Sequence, residues 1–172
     1  MTTDLGESLV AAYLRHVRGC DLILTNVHLS GTQGELDVVG LARDGGEQQM
    51  VWLCEVTTHI RGMNNPTKRP AARRVQEKVE RATEFARELF PQAQHHLEIW
   101  SPRVRPGLVA ELEIVAQSFQ SKNITLQFVV NDDYTAAIQR LVDCARNNHS
   151  TTGDDAFRML QILTHVKGTL TV

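Results

Sequence analysis

A chain of 172 residues is long enough for one well-packed domain and short for two. Hydrophobic residues at 42% and charged residues at 22% form an ordinary globular composition that excludes a fibrous or disordered chain, and no apolar run approaches the length that crosses a bilayer. The net charge of -2 excludes a uniformly basic surface, so any nucleic-acid function has to draw on a local cluster of cations.

Leu5, Leu9, Ala12, Tyr13 and Val17 recur at helical spacing, with Asp4 as the N-cap and Gly19 at the stop, so the first predicted element is an amphipathic helix that carries Glu7. Asp21 to Leu29 alternates and is partly β-branched, Ser30 to Gly34 is a turn, and Glu35 to Ala42 is a second strand. After a tight turn at Asp44-Gly45-Gly46, Met50 to Thr58 carries apolar residues on both faces, as a strand at the centre of a sheet does. These three strands make a meander. Gly62 to Pro70 contains Asn64-Asn65-Pro66 and reads as a loop. Ala71 to Phe90 returns to helical spacing, with Val75, Val79, Ala82, Phe85, Ala86 and Leu89 as its buried stripe, and Pro91 closes it.

Leu97 to Trp100, Leu108 to Phe119 and Ile124 to Val130 predict a β-α-β unit with parallel strands, Leu112 and Val115 facing inward from its helix. Tyr134 to Ala145 and Phe157 to Val166 predict closing helices, the second introduced by Thr152 and Asp155 at capping-box spacing. The expected fold is α/β, a mixed central sheet of about five strands flanked by helices on both faces. Cys20, Cys54 and Cys144 lie far apart inside apolar patterns and read as reduced packing residues. Met1 to Gly6 lacks the charged-then-apolar layout of a signal peptide, so a cytoplasmic protein without a membrane partner is expected.

The segment Gly34-Glu35-Leu36-Asp37-Val38-Val39-Gly40, followed by Leu53-Cys54-Glu55-Val56-Thr57, resembles the metal-binding core of the PD-(D/E)XK nucleases. Its layout is similar to small bacterial endonuclease-like domains and archaeal Holliday junction resolvases. A helix bearing a glutamate there precedes a Gly-Glu-hydrophobic-Asp strand and a Glu-Val-Lys strand. The resemblance covers the first half of the chain, residues 1–91, and continues over 92–172 by element order alone. It implies a restriction-endonuclease-like fold and hydrolysis of a DNA phosphodiester with magnesium or manganese. Asp37, Glu55 and the carbonyl of Val56 would bind the metal, Glu7 would hold a metal-bound water, and a homodimer is implied. The donors suit the chemistry, because hard divalent cations take oxygen ligands.

Alternation puts Glu55 and Thr57 on one face, so Thr57 stands where the resembled strand carries lysine. Threonine can hydrogen-bond a water or a phosphate but supplies no charge. Lys78 is the candidate for a moved lysine, because it interrupts the inward stripe between Val75 and Ala82. The alternative for Lys78 is a stem along the core edge with its ammonium in solvent. The alternative for Asp37 is a strand-end carboxylate that caps a turn or pairs with an arginine. An acid flanked by Leu53, Cys54 and Val56 would be buried and needs a partner. Arg61, Lys68, Arg69, Arg73, Arg74 and Arg81 form, with Lys78, a cationic run opposed by Glu77 and Glu80, suited to a DNA backbone or to a solvated helix face. His59 reads as an exposed strand end, His95 and His96 as facing opposite ways, and Trp52 and Trp100 as core. Two rival readings stand beside the nuclease: a nuclease fold that binds nucleic acid without cleaving it, and a metal-free regulatory subunit.

Overall fold

The structure is a computed structural model, and it describes residues 4–28, 34–43, 49–58, 63, 71–119, 123–150 and 152–166. The elements follow the order α1 (Leu5–His16), β1 (Leu22–His28), β2 (Glu35–Arg43), β3 (Gln49–Val56), α2 (Ala71–Leu89), β4 (Gln94–Ser101), α3 (Pro106–Ser118), β5 (Ile124–Val130), α4 (Asp132–Asn147) and α5 (Asp155–His165). The five strands lie in sequence order in one mixed sheet. β1, β2 and β3 form the expected antiparallel meander, and β4 and β5 add in parallel.

Each strand shows its alternate residues to a different helical layer. Val39, Val51, Leu53, Leu97 and Ile99 pack against the Val75, Val79, Ala82 and Ala86 stripe of α2 and Leu108 and Leu112 of α3. Val38, Trp52, Cys54, Trp100 and Val129 pack against α1, α4 and α5 through Tyr13, Leu14, Leu141 and Phe157. Both tryptophans are core, as expected, and Cys20, Cys54 and Cys144 are free thiols. Among the described residues no helix is long and apolar enough to cross a membrane.

Asp4 caps α1 in a capping box: its carboxylate accepts the Gly6 N–H at 2.7 Å and Glu7 reaches back to the Asp4 N–H. Leu5 and Leu89, placed in the buried stripes by spacing, are 59% and 54% exposed; Leu5 is the first residue of α1 and Leu89 the last of α2. β4 starts at Gln94 rather than Leu97, since His95 and His96 already pair with Ile124 and Thr125. His95 is buried and His96 stacks on Trp52 at 5.0 Å, so the two do face opposite ways. β3 ends at Val56, leaving Thr57 and Thr58 beyond it. α5 is capped by Asp154, which accepts the Phe157 N–H at 3.0 Å, while Thr152 accepts the Asp154 N–H; the predicted Thr152–Asp155 box is replaced by this nested pair. The predicted turn Ser30 to Gly34 apart from Gly34, the turn at 44–46, and the loop 62–70 apart from Met63 lie outside the described residues.

Glu98, on β4, was not singled out by sequence, yet it is 2% exposed in the layer between the sheet and α1. Its carboxylate accepts from Trp100 Nε1 at 2.9 Å, from Cys54 Sγ at 3.9 Å and from Arg18 Nη2 at 3.3 Å. Burial pushes its carboxyl above the ordinary range, and the Arg18 guanidinium, Trp100 and Cys54 oppose that rise. An acid with a raised folded pKa costs stability as pH rises through that pKa, so Arg18 matters most when Glu98 is ionised. Arg18→Ala is expected to lower stability by about 1–2 kcal/mol at pH 8, a value discounted for the exposure of the guanidinium, and by less at pH 5. Urea unfolding at the two pH values measures this; an equal loss at both would exclude the charge pairing as its cause.

Candidate functional site

The sheet's hydrogen-bond ladder has a gap on β2. Pairing between β1 and β2 joins Thr25 to Val38 and Val27 to Leu36 but passes over Asn26 and Asp37. Asn26 has φ of 54°, a left-handed conformation that asparagine tolerates better than most residues and that breaks the extended path of β1. On the other side, β2–β3 pairing runs to Val38↔Cys54 and stops just before Asp37 and Glu55. The donor next in line, the Val56 N–H, is taken by Asp37 Oδ2 at 2.6 Å. A carboxylate therefore stands where a strand carbonyl would otherwise accept, and Asp37 is held at 8% exposure by the backbone of the strand that carries Glu55.

Glu55 shares the α2 face of β3 with Leu53 and is 4% exposed. Lys78 reaches it from α2: Nζ donates to Glu55 Oε2 in a direct ion pair. The lysine that interrupts the apolar stripe is thus neither fully buried nor simply solvated. Its stem follows the core edge and its ammonium ends on the acid. Burial pushes Glu55 up to about 7; the Lys78 ammonium and, more weakly, Arg81 pull it down, and the Asp37 charge pushes it further up.

Arg74, Lys78 and Arg81 stand at i, i+4 and i+7, on one side of α2, and all three are half-buried. Arg81 lies across Gly34 so closely that a Cβ on Gly34 would stand 2.7 Å from Arg81 Nη1. Arg73 points elsewhere: it is exposed and pairs with Glu77 at 3.4 Å, the solvated-face alternative for that residue. Arg61, Lys68, Arg69 and His59 lie outside the described residues. Thr57 is half-buried just past β3, with its N–H given to the Trp100 carbonyl at 2.8 Å.

Glu7 approaches from the opposite layer. Gly6 sits against Thr58, where a Cβ would fall 2.2 Å from the threonine side chain, and Thr58 Oγ1 donates to Asp4 Oδ1 at 2.9 Å. Only a residue without a side chain lets the first turn of α1 close on the end of β3 in this way. Glu7 is raised by burial and by the Asp37 and Asp4 charges, while a bond from the Asp4 backbone and one from the Asn26 side chain pull it down. Asp37 is therefore central, since its charge raises Glu7 on one side and Glu55 on the other.

Among the described residues no three His, Cys, Asp or Glu side chains converge on one point as a metal site. A cation here would rest on Asp37, Glu55 and a backbone carbonyl, with water completing its shell, an arrangement that suits magnesium, which binds through one or two carboxylates and keeps several waters. The donor set fits in kind: all are oxygen, and the Asp37 charge is felt at Glu55. Glu35, beside this motif, is exposed and within 4.0 Å of His28, outside the group. No family model, no curated protein and no solved structure matches this chain.

The raised carboxyl of Glu55 has a consequence for stability. Below pH 4.5 the group is protonated folded or unfolded, and as pH rises toward about 7 the unfolded chain ionises freely while the buried acid resists, so stability falls over that window. Glu55→Gln removes the penalty and is expected to make the metal-free protein more stable at pH 8, by at most about 3 kcal/mol, with the advantage vanishing near pH 4.5. Denaturant unfolding across that range checks it; an advantage independent of pH would mean that ionised Glu55 is not penalised.

Proposed function

We propose that this chain is a cytoplasmic, magnesium- or manganese-dependent nuclease of the PD-(D/E)XK kind that hydrolyses a DNA phosphodiester. The observation that carries this reading is the joint placement of Asp37, pinned to the Val56 N–H at the end of the ladder, and Glu55, paired with Lys78. Lys78 brings from a helix the charge that Thr57 lacks on the strand.

In this reading Asp37, Glu55 and the Val56 carbonyl hold the cation. When bound, the cation lowers the pKa of a water and offsets charge developing on the phosphate. Asp37 also keeps the end of β3 in register, so the two acids move as a unit. Lys78 holds Glu55 when the site has no cation and otherwise presents its ammonium to the water or the phosphate. Glu7 orients a water from the α1 side. Arg74 and Arg81 hold the DNA backbone beside the acids, with Arg61, Lys68 and Arg69 extending the cationic run, and a homodimer would bring two such sites to two strands.

A second reading has its own support. Lys78 is already neutralised by Glu55 and Thr57 carries no charge, as expected of a nuclease fold that binds DNA without cutting it. Nicking of supercoiled plasmid with magnesium or manganese separates the two. The wild type should nick, and Asp37→Ala and Lys78→Met should each lose about a hundredfold or more. Wild-type protein that retains DNA yet nicks no faster than Asp37→Ala would establish the binding module instead.

Gly34→Ala tests the cationic row without touching a carboxylate. The new Cβ meets the end of a flexible side chain, so Arg81 should swing away and the fold should survive. DNA affinity should fall as in Arg81→Ala, with the slope of log affinity against log salt smaller by about one. Wild-type binding by Gly34→Ala, beside weakened binding by Arg81→Ala, would show that the guanidinium does not depend on that contact.

A further inference from the structure

Away from the acidic residues, the residues just past α4 and one side of α5 line an open pocket of about 470 Å3. Its polar lining is organised by one residue. Gln161 is 3% exposed, and its amide nitrogen donates to the carbonyls of Asn148 at 2.6 Å and Ser150 at 3.1 Å, which locks the side chain. The locked amide oxygen accepts from Arg158 Nη1 at 3.2 Å, and the Gln161 backbone carbonyl accepts from His165 Nδ1 at 2.8 Å. A second imidazole, His149, meets His165 edge-on with ring centroids 5.4 Å apart. Ile162 and Val166 complete the lining with apolar surface, and among the described residues no acid lines the pocket.

We propose that this pocket binds a phosphate monoester carrying an apolar body. A guanidinium and two imidazoles with no carboxylate among them select an anion over a metal ion. A guanidinium fork held by one of its nitrogens keeps its other donors for oxyanion recognition. His165 has spent Nδ1–H on a carbonyl, so Nε2 meets a ligand as an acceptor when neutral and as a donor when protonated. A phosphate monoester suits both states, because its own second proton is lost near pH 6, and a carboxylate has no proton to give at neutral pH. The apolar wall of Ile162 and Val166 adds affinity for a ligand body that inorganic phosphate lacks. This inference does not rest on the nuclease reading, and the pocket uses none of its residues.

Calorimetric titration of the full chain with phenyl phosphate, inorganic phosphate and benzoate tests it, repeated on Arg158→Ala, His149→Ala and Asp37→Ala. Arg158 and His149 are exposed, so both substitutions leave the core intact. Phenyl phosphate should bind saturably and more tightly than inorganic phosphate or benzoate. Arg158→Ala should weaken it about tenfold, His149→Ala less, and Asp37→Ala not at all. No saturable binding, benzoate binding as tightly as phenyl phosphate, or affinity unchanged in Arg158→Ala would each overturn the proposal; loss in Asp37→Ala alone would move the phosphate to the acidic residues and overturn it as well.

Discussion

A sheet covered by helices on both faces leaves the acids buried within it without water, and each of those must find a partner inside the protein. Glu55 and Glu98 meet that constraint on adjacent strands and on opposite faces. Glu98 faces the α1 layer, where Arg18, Trp100 and Cys54 surround it. Glu55 faces the α2 layer with Lys78 as its direct partner. Cys54, directly before Glu55, is the residue that registers with Glu98, so both acids sit within one short stretch of the central strands.

The two solutions differ in what they leave available. Every oxygen of Glu98 is engaged within the protein, by a tryptophan and a cysteine that are themselves buried and by an arginine from the α1 end. That acid is finished structurally. Glu55 has one oxygen on a lysine whose side chain still reaches solvent, and a second carboxylate beyond the end of the ladder pushes its charge in the unfavourable direction. Extra negative charge gathered next to an acid opposes folding unless something else uses it, and such groups cluster where ligands bind. The gap in the ladder at Asp37 is what puts the second acid there. A regular β2 would have paired through to the end of β3 and given the Val56 N–H an ordinary carbonyl.

The architecture was largely legible from spacing, because most of the elements carried a period, a turn signal or a breaker. The helix ends were not: Leu5 and Leu89 fit the period but are exposed, and periodicity does not say where burial along a helix stops. Lys78 was legible for the same reason that α2 was, since a lysine inside an apolar stripe has to be explained. Glu98 had the same signal, an acid between Leu97, Ile99 and Trp100, and was overlooked because the strand was started too late to show its alternation. The tight contacts of Gly6 with Thr58 and of Gly34 with Arg81 join residues far apart in sequence, and no local pattern announces them. The Gln161 network was hidden in the same way, since a glutamine one turn after the buried Phe157 shows its partners only once the α4–α5 connection wraps over it.

Supplying the cation from α2 rather than from β3 changes how the acids behave. A lysine at position 57 would stand just beyond the strand that carries Glu55, rooted in the same backbone. Lys78 instead hangs from a helix in the next layer on a flexible stem, so it can close on Glu55 or leave it without disturbing the ladder. The pairing that makes Glu55 tolerable in the core would, in the proposed nuclease reading, also be the contact a divalent cation has to loosen or share. Asp37 cannot be loosened in the same way, because its partner is a backbone N–H that would be left buried and unsatisfied. One acid is fixed by the main chain and the other is held by a movable charge, so the pair is satisfied as it stands, and in the proposed nuclease reading that asymmetry is what would admit a cation.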